Sequence, residues 1–97
     1  MLAEEEIRKV SNIFDAIGNL IRFKILMLVN ESERPLHIKA VAKILKKDYA
    51  AVYRHVKVLE KSGLIRIYEV GRSRVLQAQN AESVKKLIET AKIMVQK

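Results

Sequence analysis

A chain of 97 residues has room for one domain, and its core is too small to enclose a sizeable substrate pocket, so an extended partner suits it better. The formal charge of +8 is concentrated: residues 34 to 74 carry eleven Lys and Arg against three acids, while the remainder is balanced at eight of each. That confinement points to a polyanion bound with steep salt dependence. An anionic membrane is the weaker candidate, because no stretch approaches the roughly 20 apolar residues of a span and no Trp- or Phe-rich face opposes the basic residues.

The absence of cysteine excludes a disulfide framework, a thiolate metal site and a catalytic thiol. No nucleophile and base stand at credible spacing, and there is neither a Gly-rich phosphate loop nor a metal cluster, which argues against an enzyme. The opening MLAEEEIRKV is acidic and lacks the apolar run of a signal peptide, which places the protein in the cytosol. Ile, Val, Lys and Glu are abundant and Trp is missing, a composition that leans toward a thermophile.

Residues 3 to 17 are predicted to form the first helix, with Ile7, Val10, Ile13, Phe14 and Ile17 on a wide apolar face and Glu4 to Glu6 at the positive end of its dipole. Asn19 caps a second helix, from Leu20 to about Glu31, in which Ile21, Ile25, Leu28 and Val29 point inward and Phe23, Leu26 and Met27 fill out the face. This helix is expected to be buried nearly all round.

The polar turn NESERP leads to a short extended piece at Leu36 to Ile38, then to a third helix of about eight residues carrying Ile38, Val41, Ala42 and Leu45. Lys46 and Lys47, candidate contacts to a phosphate backbone, begin a turn of about three residues, the length of a helix-turn-helix connection. Asp48 to Gly63 then reads as a helix, with Asp48 as its cap and Gly63 at the positive-φ position that ends it. Ala51, Val52, Val56 and Leu59 share its apolar side, whereas Tyr49, Tyr53, Arg54 and Lys57 project from the other.

After Gly63 the period changes. LIRIYEV (64 to 70) and RVLQAQ (74 to 79) flank Gly71, Arg72 and Ser73, so they read as an antiparallel hairpin with a basic tip. Asn80 is expected to cap a last helix, Ala81 to about Gln96, with Val84, Leu87, Ile88, Ala91, Met94 and Val95 in one stripe. The terminal helices present more apolar surface than one small domain covers. A second copy of the chain is the expected cover, with Ile7, Val10, Phe14, Val84, Leu87, Ile88, Ala91 and Met94 in a twofold interface.

Order and residues together resemble the ArsR-like winged helix-turn-helix transcriptional regulators. IGNLIRFKIL (17 to 26) is similar to the family's opening motif, through Asn19, Arg22, Ile25 and Leu26; AVYRHVKVLEKSGLI (51 to 65) is similar to its recognition helix, and VGRSRV (70 to 75) to its wing. The fold expected is mainly α with a small β-hairpin, ordered α-α-α-α-β-β-α. The resemblance implies a homodimer that binds an inverted repeat in double-stranded DNA and usually represses transcription. Carried over by position, Tyr49, Ala50, Tyr53, Arg54 and Lys57 would face the major groove, and Arg72, Ser73 and Arg74 would be the wing contacts. Arg54 suits a bidentate contact to guanine and Lys57 a phosphate. Tyr53 would touch a thymine methyl or a phosphate, or else cover the helix-turn-helix seam.

The chain departs from many such regulators in its effector chemistry. PLHIKAVAKILKK has no Cys and residues 81 to 97 have no His, so the usual metal switch is expected to be absent and no cofactor is implied. His37 and His55 are isolated; a site they complete with carboxylates across a dimer stays open, and a small-molecule effector is not legible. The rival reading is a winged-helix module for protein contacts or RNA in the transcription or translation machinery.

Overall fold

The computed structural model describes residues 1–96. In chain order the elements are α1 (Glu4–Ile17), α2 (Leu20–Glu31), β1 (Leu36–His37), α3 (Ile38–Leu45), α4 (Tyr49–Lys61), β2 (Ile65–Val70), β3 (Ser73–Ala78) and α5 (Ala81–Val95). The piece at Leu36 is more than extended chain: it is a third strand, giving an antiparallel sheet in the order β1-β3-β2 with Leu36 opposite Leu76 and His37 opposite Val75. The expected hairpin therefore gains a strand, and the order becomes α-α-β-α-α-β-β-α. Period-2 reading detects such a strand poorly, because two residues carry no alternation.

The core is built where these elements meet. Ile25, Leu26 and Val29 of α2, Ile38 and Val41 of α3, and Val52, Val56 and Leu59 of α4 are buried with Leu64, Ile65 and Leu76 from the sheet side. The 3- and 4-residue spacings put each helix's members on one face. α2 is enclosed by α1, α4, β3 and α5, and among its residues only Leu20, at 68%, Lys24 and Glu31 are exposed. A radius of gyration of 14.0 Å, against about 12.5 Å for a compact chain of this length, reflects terminal helices that run past the core.

The helix ends show where local sequence decides and where it does not. Asn19 caps α2, its side-chain oxygen accepting from Arg22 N–H at 3.0 Å. Asp48 and Asn80 occupy the cap positions of α4 and α5, yet neither side chain makes the cap bond. Asn80 instead adopts a left-handed backbone and donates from Nδ2 to the carbonyl of Gly63 at 3.0 Å, tying the start of α5 to the end of α4. Gly63 ends α4 as expected, at φ 79°, and Leu64 N–H returns to the Leu59 carbonyl at 3.0 Å. α3 ends in the same way with a lysine in the glycine position: Lys46 has φ 54°, and Lys47 N–H returns to Ala42 at 3.0 Å.

Arg22 binds three elements together. Its Nε donates to the Ala16 carbonyl at 2.7 Å and Nη2 to the Asp15 carbonyl at 3.2 Å, satisfying the last turn of α1, and Nη1 lies 3.5 Å from His55 Nδ1 on α4. As an arginine has no acceptor, that contact favours a neutral imidazole accepting at Nδ1. Burial lowers the His55 pKa first, with the charges of Arg22 and then Arg54 adding to it. A depressed histidine pKa means that the unfolded chain binds the proton more readily, so stability is complete above about pH 6.5 and falls as pH drops through the folded value. Thermal unfolding should therefore give a lower Tm at pH 5.5 than at pH 7.5, with His55→Gln flattening that difference.

Candidate nucleic-acid interface

The turn between α3 and α4 brings the two helices together as a helix-turn-helix, and α4 presents its polar side outward. Arg54 is exposed and makes no hydrogen bond or ion pair among the described residues. Ala50 and Lys57 are also exposed on α4, and Lys46 and Lys47 are exposed in the turn that precedes it. Lys57 is not idle: Nζ pairs with Glu60 at 2.8 Å, one turn along the same helix. That hydrogen bond and the Glu60 charge raise the Lys57 pKa, so the ammonium remains charged throughout the physiological range.

Tyr49 and Tyr53 differ from the other residues of this side. Both are half-buried against the core, one helical turn apart, with rings stacked at a centroid separation of 6.5 Å and an interplanar angle of 8°. Tyr53 thus lies at the seam between α4 and the hairpin, a different seam from the helix-turn-helix one that the sequence offered as an alternative. Arg74 closes it: its guanidinium carbon lies 4.5 Å from the Tyr53 ring centroid, and Nη1 donates to the Tyr49 hydroxyl at 3.3 Å. That hydrogen bond is the main cause of an upward shift in the Arg74 pKa.

The hairpin tip is a two-residue turn. Val70 pairs with Ser73, leaving Gly71 and Arg72 between them, and Gly71 has φ 62°, a conformation that a side chain would strain. Arg72 is exposed and without a partner among the described residues, and Ser73 is half-buried. A shallow groove lined by Tyr49, Glu69, Gly71, Arg72, Ser73 and Arg74 runs between the start of α4 and this tip. The hairpin cations Arg72 and Arg74 border this groove with Tyr49 of α4, and Arg74 is turned back onto α4 instead of standing off the tip. Sequence reasoning grouped Arg74 with its neighbours Arg72 and Ser73; only the Tyr pair at i, i+4 hinted at a partner for it. Among the described residues, no group of three His, Asp or Glu could hold a metal ion, and no helix is long and apolar enough to cross a membrane.

The residues expected at an interface between copies divide into two sets. Ile7, Val10 and Phe14 of α1, and Ala91 and Met94 of α5, are exposed, with Phe14 at 55% and Met94 at 81%. Val84 does not belong with them: it is 3% exposed and lies in the chain's own core, where Ile88 packs beside it. Leu87 is half-buried. The apolar stripe of α5 is not one free face: its first turn docks on the core and only its later turns run free.

Helix-turn-helix, three-stranded wing and closing helix define a winged helix-turn-helix of the ArsR-like type. The chain belongs to the HVO_A0114 family, whose sequence pattern matches residues 22–82. Its structure is similar to that of HlyU from Vibrio cholerae N16961, with 20% identity over 96% of this chain and 98% of that one and a TM-score of 0.78. It is also similar to the homodimeric winged helix-turn-helix DNA-binding domain of Mb0332 from Mycobacterium bovis, with 17% identity, coverage of 96% and 86%, and a TM-score of 0.79. A transcriptional regulator homologue from Pyrococcus horikoshii OT3 shares 23% identity over 91% of this chain and 94% of that one, with a TM-score of 0.74. No curated protein matches the chain by sequence.

Proposed function

We propose that the protein is a dimeric, sequence-specific double-stranded DNA-binding regulator of transcription in the cytoplasm. α4 enters the major groove with Arg54 as its base-reading side chain, and Lys57, Lys46 and Lys47 take phosphates. The wing places Arg72 and Ser73 against the backbone or minor groove. Ile7, Val10 and Phe14 of α1 pair with Ala91, Met94 and the neighbouring turns of α5 in a second copy, setting two recognition helices on an inverted repeat. Binding there represses transcription by occluding the promoter, and the cysteine metal switch plays no part.

The observation that carries this reading is the pair of free cations on the two parts of the motif: Arg54 on α4 and Arg72 at the hairpin tip are exposed without a partner among the described residues, and the Arg74–Tyr49 contact joins helix to hairpin. The ArsR-like fold, and the description of the Mycobacterium bovis domain as a homodimeric DNA-binding one, agree with it. Selection from a random duplex pool followed by footprinting is the direct test. Protection of a pseudo-palindrome with half-sites one helical turn apart is the expected result. Indifference to DNA sequence at physiological salt would favour a winged-helix module for RNA or protein contacts.

Arg72→Ala separates the wing from the helix. An exposed, unpaired arginine that neutralises one phosphate contributes about one unit to the slope of log affinity against log salt. The variant should weaken cognate and random duplexes alike and lower that slope by about one, with base preference unchanged.

A further inference from the structure

We propose that Arg74 is a positioning residue for DNA recognition, a clasp that fixes the wing against the recognition helix, and not itself a phosphate contact. The inference rests on the DNA-binding reading and assigns one of its cationic side chains a different task.

Three observations converge on it. Arg74 touches two residues of another element at once, stacking over Tyr53 at 4.5 Å and donating to Tyr49 Oη at 3.3 Å. Its backbone is anchored, because Val75 and Leu76 immediately after it are buried and Glu69 lies opposite it across the hairpin. Its two partners are themselves stacked on each other at 6.5 Å and half-buried, so the clasp closes on a rigid ledge. The contrast with Arg66 is informative. Arg66 also lies over a tyrosine, Tyr68, at 5.9 Å, but both belong to β2, so that pair couples nothing. Arg72, two residues before Arg74 at the hairpin tip, is exposed and has no partner among the described residues.

A planar guanidinium held over one ring and hydrogen-bonded to a second residue's hydroxyl cannot be exchanged for lysine without losing the geometry, although the charge persists. With the clasp closed, the separation between the wing tip and Arg54 is set before DNA arrives. A wing freed from α4 would still meet phosphates, but it would no longer hold α4 in a single register against the bases.

The experiment compares Arg74→Lys, Arg74→Ala, Tyr49→Phe and the double variant Tyr49→Phe/Arg74→Ala, each titrated with cognate and scrambled duplexes across a salt series. The clasp predicts that all three single variants lose roughly 3- to 10-fold in cognate-over-scrambled discrimination, a shift of about one kcal/mol. It also predicts that the double variant is no worse than Arg74→Ala and that the salt slope stays at the wild-type value. Full discrimination in Arg74→Lys, together with a slope lowered by about one unit in Arg74→Ala, would show a phosphate contact and overturn the proposal. A DNA-free arm keeps this outcome distinct from failure of the DNA-binding reading. In the wild-type protein alone, the Arg74 side-chain methylene resonances should be displaced upfield by the Tyr53 ring, and Tyr53→Leu should return them to the free-arginine position. Undisplaced resonances in the wild type would remove the clasp whatever the protein binds.

Discussion

Replacing Phe14 with Glu should give a folded monomer whose affinity for a two-half-site operator falls by roughly 10²- to 10⁴-fold, the gain that joining two binding modules provides. Phe14 is 55% exposed on α1 and lies outside the buried cluster, so its loss leaves the core of the single chain intact. In a twofold interface the same position would be enclosed, and a carboxylate there must be desolvated without a partner, which costs far more than an exposed charge. Met94→Lys, at 81% exposure on the other terminal helix, should have the same effect through the opposite side of the interface. Sedimentation at micromolar concentration reports the state directly, and thermal unfolding checks that each variant remains folded. A wild-type protein that sediments as a monomer, or a Phe14→Glu variant that remains a dimer, would remove the inverted-repeat geometry from the proposed function.

Arg54→Ala is expected to weaken the cognate site by about 1 to 3 kcal/mol and to relax base preference at one position of each half-site. The argument is one of availability. Lys57 is paired with Glu60 at 2.8 Å and Arg74 is engaged by Tyr49 and Tyr53, whereas Arg54 is exposed on the same helix with no competing partner among the described residues. A guanidinium that reads O6 and N7 of a guanine loses both bonds at once on truncation, and the base edge is left unsatisfied. Unlike Arg72→Ala, the substitution should change the ranking of duplexes more than the salt slope. Selection with the variant measures this, and an unaltered preferred sequence would mean that α4 is rotated so that another side chain reads the bases.

Much of the fold can be read locally. Asn19 and Gly63 sit at helix boundaries where their chemistry requires them, and the spacing of Val52, Val56 and Leu59 puts the buried face of α4 where the structure has it. The cap assignment at Asn80 fails for a tertiary reason, since its amide is drawn to the Gly63 carbonyl across the chain, and Asp48 holds the cap position of α4 without making the cap bond. The candidate site was legible as a set of residues but not as an arrangement. Exposed Arg54 and Arg72 stand where helical period and turn chemistry place them. The roles of Arg74 and Arg22 depend on partners 25 and 33 positions away, Tyr49 and His55, which no local pattern encodes.

By itself, the sequence determined which residues are apolar at helical spacing, where helices and turns must break, and that the positive charge lies between residues 34 and 74. These are properties of a residue and its near neighbours. Only the tertiary structure decided that Leu36 and His37 join the sheet, that Val84 is core rather than free surface, and that Arg74 grips α4 while Arg72 does not. The physical reason is that burial and hydrogen bonding are settled by which segments come into contact, and that contact depends on how the whole chain closes around its core.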